Sequence, residues 1–264
     1  MINNLNIKKE LNQNGYFIIR GLIKSDVTSI IRKRLIEKVN EVSNNFLNKK
    51  DLRKKEVHLL ERNARKNFNS IKLQENFRKL NKLYNIKELW EEFYANKKVI
   101  GYVRPFINDD ILLKFTSAFL KPAIIGGETP WHQDIALWND KDSSAISAWV
   151  AIDPATKENG CLQMVPGSHK NNIIEHILYN DSIHPELPRH MCNELNYHYI
   201  ELQPGDCVFW HSHMWHYSPP NNSENDRIGC AVVWTNQKDL KNNENREYYW
   251  VMRSGKIKPT PEKF

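Results

Sequence analysis

The sequence predicts a mainly β protein in which helices come first and a β-barrel or sandwich follows. Before about residue 105 the apolar residues recur at helical steps. Beyond about residue 110, short runs rich in β-branched and aromatic residues alternate with turn signals, as in sandwiches and barrels. We therefore expect a single domain with a helical part over about 1–105, a β core over about 110–236 and a C-terminal tail over 237–264.

The helical part opens with a strand. NGYFIIRGLI (14–23) predicts a short strand after an Asn-Gly turn. Ser25 or Asp26 is then placed to cap a helix whose apolar stripe is Ile30, Ile31, Leu35, Val39 and Val42. A second helical region over 80–103 is expected to stop near Pro105.

The β core is predicted from six strand-like runs with turns between them. The runs are ILLKFTSAFL, AISAWVAI, CLQMV, HYIEL, DCVFWHS and IGCAVVWT. The turns are marked by Gly126-Gly127, Asn159-Gly160, Pro166-Gly167, Pro204-Gly205 and the Pro-Pro-Asn-Asn of 219–222.

Composition and charge restrict the class of protein. The 264 residues are 40% hydrophobic and 26% charged, as in globular proteins, and no apolar run approaches membrane-span length. Four scattered cysteines without a CxxC pair predict free thiols, and we see no secretory or peroxisomal signal, so we expect a cytoplasmic protein. Residues 1–100 carry 23 Lys and Arg against 11 Asp and Glu. Because these charges mix signs along helical sequence, we expect a solvated surface rather than a nucleic-acid partner.

The segment TPWHQDIALW (129–138) holds a histidine and a carboxylate separated by one residue. In a strand, residues i and i+2 point to the same face, so His132 and Asp134 are expected to project together. Such a pair can hold one cation from two directions, but it needs a third ligand from elsewhere in the chain.

Three histidines near the Pro-Pro-Asn-Asn turn could supply the third ligand. By strand parity, His211 and His213 share one face and His216 lies on the other, and at most one face looks into the barrel. His216 is favoured because it lies at the mouth of a strand, just before the turn. Arg227 opens the next strand, so its guanidinium could reach the same cavity and hold a carboxylate with two hydrogen bonds.

Two histidines and one carboxylate with open coordination positions are the ligand set of the non-haem Fe(II) oxygenases. An arginine beside them suits a 2-oxoacid cosubstrate, whose keto-acid end chelates iron while its far carboxylate needs a cation. Together, His132, Asp134, His216 and Arg227 predict an iron site with a bound 2-oxoacid.

Three segments resemble the phytanoyl-CoA dioxygenase family of Fe(II)/2-oxoglutarate-dependent oxygenases, which includes ectoine hydroxylase: PWHQD, AWVAIDPATKENGCLQMVPGSHK and PGDCVFWHSHMWHYSPPNNSENDR. The resemblance covers about 14–236 and implies a double-stranded β-helix, a jelly-roll of the cupin kind. It implies that His132, Asp134 and His216 bind Fe(II) and that Arg227 binds the C5 carboxylate of 2-oxoglutarate. His211 and His213 then fall outside the set of ligands.

The resemblance also implies a ring of contact residues. Trp149 matches a tryptophan near the cosubstrate, and Trp138 matches an aromatic of the ectoine hydroxylase pocket. Family members line the cosubstrate pocket from the strand KFTSAFLKP, often with polar residues where this chain has Ser117 and Phe119. The expected cosubstrate contacts are Arg227, Trp149, Ser117, Phe119, Lys121 and Gln133, and the expected substrate contacts are Trp138, Trp131, Phe115 and Trp215.

The resemblance implies a reaction with O₂ that releases succinate and CO₂, with hydroxylation as the default outcome. Related halogenases lack the metal carboxylate, so Asp134 argues against halogenation, whereas desaturation or cyclisation stays open. A nucleic-acid demethylase of this superfamily would carry a second arginine where this chain has Val233, and a non-enzymatic cupin-like binding module would lack a ligand or the arginine. We expect the substrate to be a small polar metabolite or natural-product intermediate rather than a long-chain acyl-CoA, and the oligomeric state is not predicted.

Overall fold

The computed structural model describes residues 4–48, 59–60, 77–138, 144–240 and 247–264. Helices α1–α4 span Asn4–Asn14, Ser25–Asn48, Lys87–Leu89 and Lys97–Ile107, and a π-helical turn over Trp90–Tyr94 follows α3. Strands β1–β13 span Tyr16–Ile19, Leu59–Leu60, Phe77–Asn81, Ile111–Lys121, Thr129–His132, Ile146–Ala151, Leu162–Met164, His198–Ile200, Cys207–His211, His216–Ser218, Arg227–Asn236, Tyr249–Arg253 and Lys256–Lys263. In these ranges no helix is both long and apolar enough to cross a membrane.

The strands form two antiparallel sheets, which confirms a mainly β protein. The larger sheet has the order β1-β9-β6-β11-β4-β12-β13, and β3, itself paired with β2, joins β4 along part of its length. The smaller sheet has the order β5-β10-β7-β8. Long β11 is the spine of the larger sheet, since it pairs with β4 on one side and β6 on the other.

The central strands β6 and β11 of the larger sheet are buried on both faces. On β6, Ala148 and Val150 pack into the core shared with the N-terminal helices, whereas Trp149 and Ala151 pack into a second core. That second core contains Leu162 of the smaller sheet, so it lies between the two sheets. Alternate residues of one strand therefore serve two separate cores, as the period of two requires.

Helix α2 confirms the predicted helix and most of its stripe. Ile31 and Leu35 are fully buried, and Val39 and Val42 follow them at steps of four and three residues. Ile30, which we had placed in the stripe, is 47% exposed. It lies one residue before Ile31, about 100° away around the helix, and therefore faces solvent.

The second helical region differs from the prediction at both ends. Residues 80 and 81 belong to β3, and a 3-10 turn over Leu83–Asn85 precedes α3. The pairing of β3 with β4 explains the difference, because a tertiary partner overrides local helical periodicity. At the other end α4 includes Pro105 and ends at Ile107. The basic stretch over 49–58 and 61–76 lies outside the described residues.

Much of the expected C-terminal tail is part of the sheet. β12 pairs with β4 and β13 pairs with β12, so this hairpin extends the larger sheet at its edge. Ser254 and Gly255 connect the two strands with φ of 49° and 75°, the left-handed backbone of a two-residue hairpin turn. Ser-Gly directly after the β-rich run Tyr249–Arg253 is the sequence signal for this turn, which the sequence reasoning missed.

We predict that Leu35→Ala lowers the free energy of unfolding by about 2–5 kcal/mol, because it leaves a cavity under α2. Ile30→Ala, in the same helix but largely exposed, should change it by less than about 0.5 kcal/mol. Urea denaturation followed by circular dichroism measures both. Equal losses in the two variants would contradict the assigned helix face.

Candidate metal centre

Three side chains from two segments of the chain meet between the sheets. His132 ends β5, Asp134 follows two residues later, and His216 begins β10 directly opposite His132 in the strand register. One ligand atom from each lies within 4.8 Å of the others. Oδ1 of Asp134 is 3.6 Å from Nε2 of His132 and 3.7 Å from Nε2 of His216. These separations exceed hydrogen-bond length and suit three ligands around one cation.

Backbone carbonyls orient both imidazoles. Nδ1 of His132 lies 2.8 Å from the carbonyl oxygen of Pro130, and Nδ1 of His216 lies 3.0 Å from that of Met214. A carbonyl can only accept, so each Nδ1 carries a proton, and Nε2 is the ring atom of each histidine that faces the carboxylate of Asp134. Burial, with the charge of His132 adding to it, lowers the pKa of His216 to about 4. His216 is therefore neutral at pH 7, as a ligand must be.

The larger sheet holds the carboxylate of Asp134. Its Oδ2 accepts hydrogen bonds from the Ser147 hydroxyl at 2.6 Å and from the Trp210 indole N–H at 3.0 Å. Burial alone would raise the pKa of Asp134, but the charges of His216 and His132 and the Ser147 hydrogen bond hold it well below its usual range. Asp134 is thus ionised at neutral pH, with Oδ1 turned toward the two histidines.

The backbone brings His132 and Asp134 together in a way that the sequence analysis did not predict. β5 ends at His132 and Asp134 begins a 3-10 turn, so the two side chains converge without sharing a strand face. Parity across 209–216 also does not apply, because β9 ends at His211 and a new strand begins at His216. The rings of His211 and His213 lie 5.0 Å apart, and neither residue lines the cavity of the metal centre.

Arg227 is a buried cation at the same cavity. It opens β11, is 2% exposed, and its guanidinium carbon lies 5.1 Å from the ring centroid of Trp149. Burial lowers its pKa to about 10, which leaves it charged at pH 7. Its Nε finds no hydrogen-bond acceptor among the described residues. A buried cationic donor without an acceptor is typical of a site that receives an anion.

Trp149 depends on a glycine. A Cβ at Gly229 would lie 1.8 Å from Cζ2 of Trp149, so the indole occupies the space that any other residue at 229 would need. The indole therefore lies against Gly229 of β11, beside Arg227. Gly229 is a residue that the sequence reasoning missed.

A cavity of about 480 Å³ joins these groups. His132, Asp134, His216 and Arg227 line it, and of the expected contact residues the structure brings Trp138, Trp149, Phe115 and Phe119 into its lining. It does not bring in Ser117, Lys121, Gln133, Trp131 and Trp215.

The three polar residues outside the cavity lining, Ser117, Lys121 and Gln133, form hydrogen bonds with other residues of the chain. The Ser117 hydroxyl donates to Asn81, and Nζ of Lys121 donates to the carbonyl oxygens of Ser218, at 3.0 Å, and Pro219. The Gln133 amide donates to the carbonyl oxygen of His213 at 3.1 Å and accepts from the backbone N–H of Ile174 at 2.8 Å. Gln133 thus ties the loop after β7 to the turn that carries Asp134.

The two tryptophans outside the lining have other neighbours. The indole of Trp131 stacks on Tyr217, with ring centroids 5.3 Å apart. Trp215 is buried, and its backbone N–H donates to the Ser168 hydroxyl at 2.9 Å.

Several lining residues were missed. Arg78 and Lys79 lie on β3, in sequence that had given no strand signal, and His184 lies in the long loop between β7 and β8. Lys114 belongs to a strand that was predicted, but parity put it on the opposite face from Phe115. Only the pairing of β3 with β4 and the register of β4 against β11 could have revealed Arg78, Lys79 and Lys114.

The fold and the donor set together define a class, the non-haem iron oxygenases that use 2-oxoglutarate. The chain belongs to the phytanoyl-CoA dioxygenase (PhyH) family, whose sequence model matches residues 11–229. It is 26% identical over 242 residues to a phytanoyl-CoA dioxygenase of Arabidopsis thaliana, covering 83% of each chain. The family resemblance inferred from the three motifs is confirmed, and with it the enzyme class and its cofactors, Fe(II), 2-oxoglutarate and O₂.

Solved structures share the fold at low identity. EctD from S. alaskensis with bound Fe is 16% identical, with a TM-score of 0.67, over 90% of this chain and 78% of that one. EctD with 2-oxoglutarate and 5-hydroxyectoine has a TM-score of 0.62, with 90% and 77% covered at 16% identity.

We predict that Ser147→Ala and Trp210→Phe each weaken binding of a divalent metal by about 10- to 100-fold, because each removes a hydrogen bond that aims Asp134. Anaerobic calorimetric titration with Fe(II) measures the effect. Ser29→Ala, which removes an exposed hydroxyl from α2, is the matched control. Wild-type affinity in both site variants would contradict the role given to these donors.

Proposed function

We propose that His132, Asp134 and His216 bind one Fe(II) and that this chain hydroxylates a small polar metabolite or natural-product intermediate. The observation that supports this most is the convergence of three metal-ligand atoms within 4.8 Å at a buried cavity. Nδ1 of each imidazole is bound to a backbone carbonyl and the carboxylate is ionised, so both Nε2 atoms and Oδ1 of Asp134 are the atoms that would hold a divalent cation. Three protein ligands leave coordination positions for small molecules.

We assign Arg227 to the C5 carboxylate of 2-oxoglutarate. Its orphaned Nε and its burial fit an anion that arrives from outside the chain. Trp149, fixed against Gly229, limits the space beside the guanidinium and keeps water from it. Phe119, which also lines the cavity, adds an apolar wall for the methylene groups of the cosubstrate.

The other proposed contacts divide into two groups. Trp138 and Phe115, which line the cavity, are assigned to the primary substrate. Ser117, Lys121 and Gln133 are assigned supporting roles, because their polar atoms bond to the protein around the site. Trp131 and Trp215 are assigned to the structure of the smaller sheet and its turn. The two sheets around the site are proposed to be the double-stranded β-helix of a single domain.

The overall reaction converts the substrate, 2-oxoglutarate and O₂ into the hydroxylated product, succinate and CO₂. Bound iron would supply the activation of O₂ and the abstraction of a hydrogen atom from the substrate. The chain's own residues bind and orient: Arg227 holds the far end of the cosubstrate, and Ser147 with Trp210 keeps Asp134 on the metal. Because Asp134 occupies the third protein position, a halide has no place among the protein ligands.

For the metal ligands we predict that His216→Ala abolishes succinate formation and leaves the unfolding midpoint within a few degrees of wild type. His213→Ala, three residues away and outside the cavity lining, should keep most of the activity. A coupled succinate assay with Fe(II) and 2-oxoglutarate compares the two. The assignment of His216 fails if the pattern is reversed.

For the cosubstrate we predict that Arg227→Ala weakens 2-oxoglutarate binding by about 2–5 kcal/mol, because it leaves a buried carboxylate without its cation. Arg227→Lys keeps the charge but loses the planar fork, so its affinity for 2-oxoglutarate should lie between those of the wild type and Arg227→Ala. Anaerobic titration of the Fe(II)-loaded protein measures affinity directly. Unchanged affinity in Arg227→Ala would refute this role.

For the product we predict a gain of one oxygen atom derived from O₂. A screen of small metabolites by succinate release finds a substrate, and mass spectrometry under ¹⁸O₂ with chloride in excess identifies what is formed. Loss of two hydrogen atoms would instead indicate desaturation or cyclisation, and a chlorinated product would contradict the role of Asp134.

A further inference from the structure

The long connection between β7 and β8 supplies part of the cavity wall. An isolated antiparallel bridge near its ends defines a short excursion of the chain over residues 177–187, which we call the flap. The flap carries Ile183 and His184 into the cavity lining. The ring centroid of His184 lies 4.7 Å from that of His132. The flap therefore closes the cavity directly beside one of the metal-ligand side chains.

Both ends of the flap attach to the segment that carries two of the three metal ligands. At its C-terminal end the backbone N–H of Leu187 donates to the carbonyl oxygen of Trp131 at 2.8 Å. At its N-terminal end the preceding residue, His176, accepts a hydrogen bond through Nε2 from the backbone N–H of Gln133 at 2.9 Å. Trp131 and Gln133 flank His132, so both attachments lie beside that ligand.

The side chain of Gln133 strengthens the N-terminal attachment. Its amide accepts from the backbone N–H of Ile174 at 2.8 Å and donates to the carbonyl oxygens of Asn172, at 3.3 Å, and His213, at 3.1 Å. Gln133 is fully buried, and a buried amide that loses such partners is destabilising. Gln133 therefore favours the closed flap as long as its own segment keeps its position.

The two ring nitrogens of His176 have opposite roles. Nδ1 lies 2.8 Å from the carbonyl oxygen of Ile174, which can only accept, and Nε2 faces the N–H of Gln133, which can only donate. The imidazole is therefore held as the neutral tautomer with its proton on Nδ1. One side chain thus joins the base of the flap to the peptide bond that follows His132.

We propose that His176 is a positioning residue, which couples metal binding at His132, Asp134 and His216 to closure of the flap. Metal binding restricts the segment between His132 and Asp134, and the contact of Gln133 with His176 extends that restriction to the flap. Coupling of this kind is reciprocal, so the closed flap raises the metal affinity by the same factor. This inference rests on the proposed function, since the metal is the one assigned there.

The test is hydrogen–deuterium exchange of the flap, measured by mass spectrometry on the whole protein with and without Fe(II) in the absence of oxygen. Calorimetric titration gives the Fe(II) affinity of each variant, so that exchange is compared at saturation. In the wild type we expect saturating Fe(II) to slow exchange of the flap amides by at least about tenfold. Exchange in α2, far from the flap in sequence, serves as the internal reference.

Two substitutions that differ by one methylene group separate the roles of the ring nitrogens. The amide of His176→Asn can replace Nδ1 at Ile174 but is too short to reach Gln133. In this variant Fe(II) should slow flap exchange by less than about twofold, and the Fe(II) affinity should fall about tenfold. His176→Gln places an amide oxygen near the position of Nε2 and should lie closer to the wild type in both measurements. His190→Asn, at an exposed histidine of the same connection, is the matched control.

The outcomes separate the two proposals. Wild-type protein that binds no Fe(II) contradicts the proposed function and this inference together. If Fe(II) binds, the inference alone is overturned by flap exchange that is the same with and without Fe(II), or by slowing that persists in His176→Asn. It is also overturned if His176→Gln lies no closer to the wild type than His176→Asn, or if His190→Asn loses as much. If circular dichroism shows that His176→Asn does not fold, His176→Phe takes its place with the same expectation.

Discussion

The site depends on how the two oxygens of Asp134 divide their contacts between the sheets. Oδ2 accepts two hydrogen bonds from β6 and β9 of the larger sheet, and Oδ1 faces the two histidines of the smaller sheet. Burying a carboxylate is costly unless it is hydrogen-bonded or paired. Ser147 and Trp210 offset part of that cost, and Oδ1 is directed at the point that Nε2 of both histidines also faces. In the proposed function, a divalent cation at that point would complete the charge balance and would also join the two sheets.

Two cationic side chains, Arg227 and Lys114, lie at different ends of the cavity lining. Arg227 lies at one end, buried and lacking an acceptor for Nε among the described residues, with Trp149 packed beside it because Gly229 leaves room. Lys114 lies at the other, turned inward by a bulge. In the proposed function, the dicarboxylate cosubstrate extends from the metal to Arg227.

Local patterns were enough to predict much of this. The helix over Ser25–Asn48, the strand over Tyr16–Ile19, the convergence of His132 and Asp134 and the choice of His216 all follow from residues close in sequence, or from motifs. The strand-face reason for the His132 and Asp134 pair was wrong, because Asp134 begins a 3-10 turn. What the sequence did not reveal depends on pairings between distant segments. β3 forms because β4 offers it an edge, and the orientation of Lys114 is set by the register of β4 against β11.

The central claim is that one metal ion and Arg227 bind the same cosubstrate from opposite ends. The most direct measurement is titration of the wild-type protein with 2-oxoglutarate, without oxygen, with and without one equivalent of Fe(II). Because chelation adds to the contact with Arg227, we predict one bound equivalent whose affinity rises at least about tenfold, or about 1.4 kcal/mol, when iron is present. The same affinity with and without iron would contradict the account.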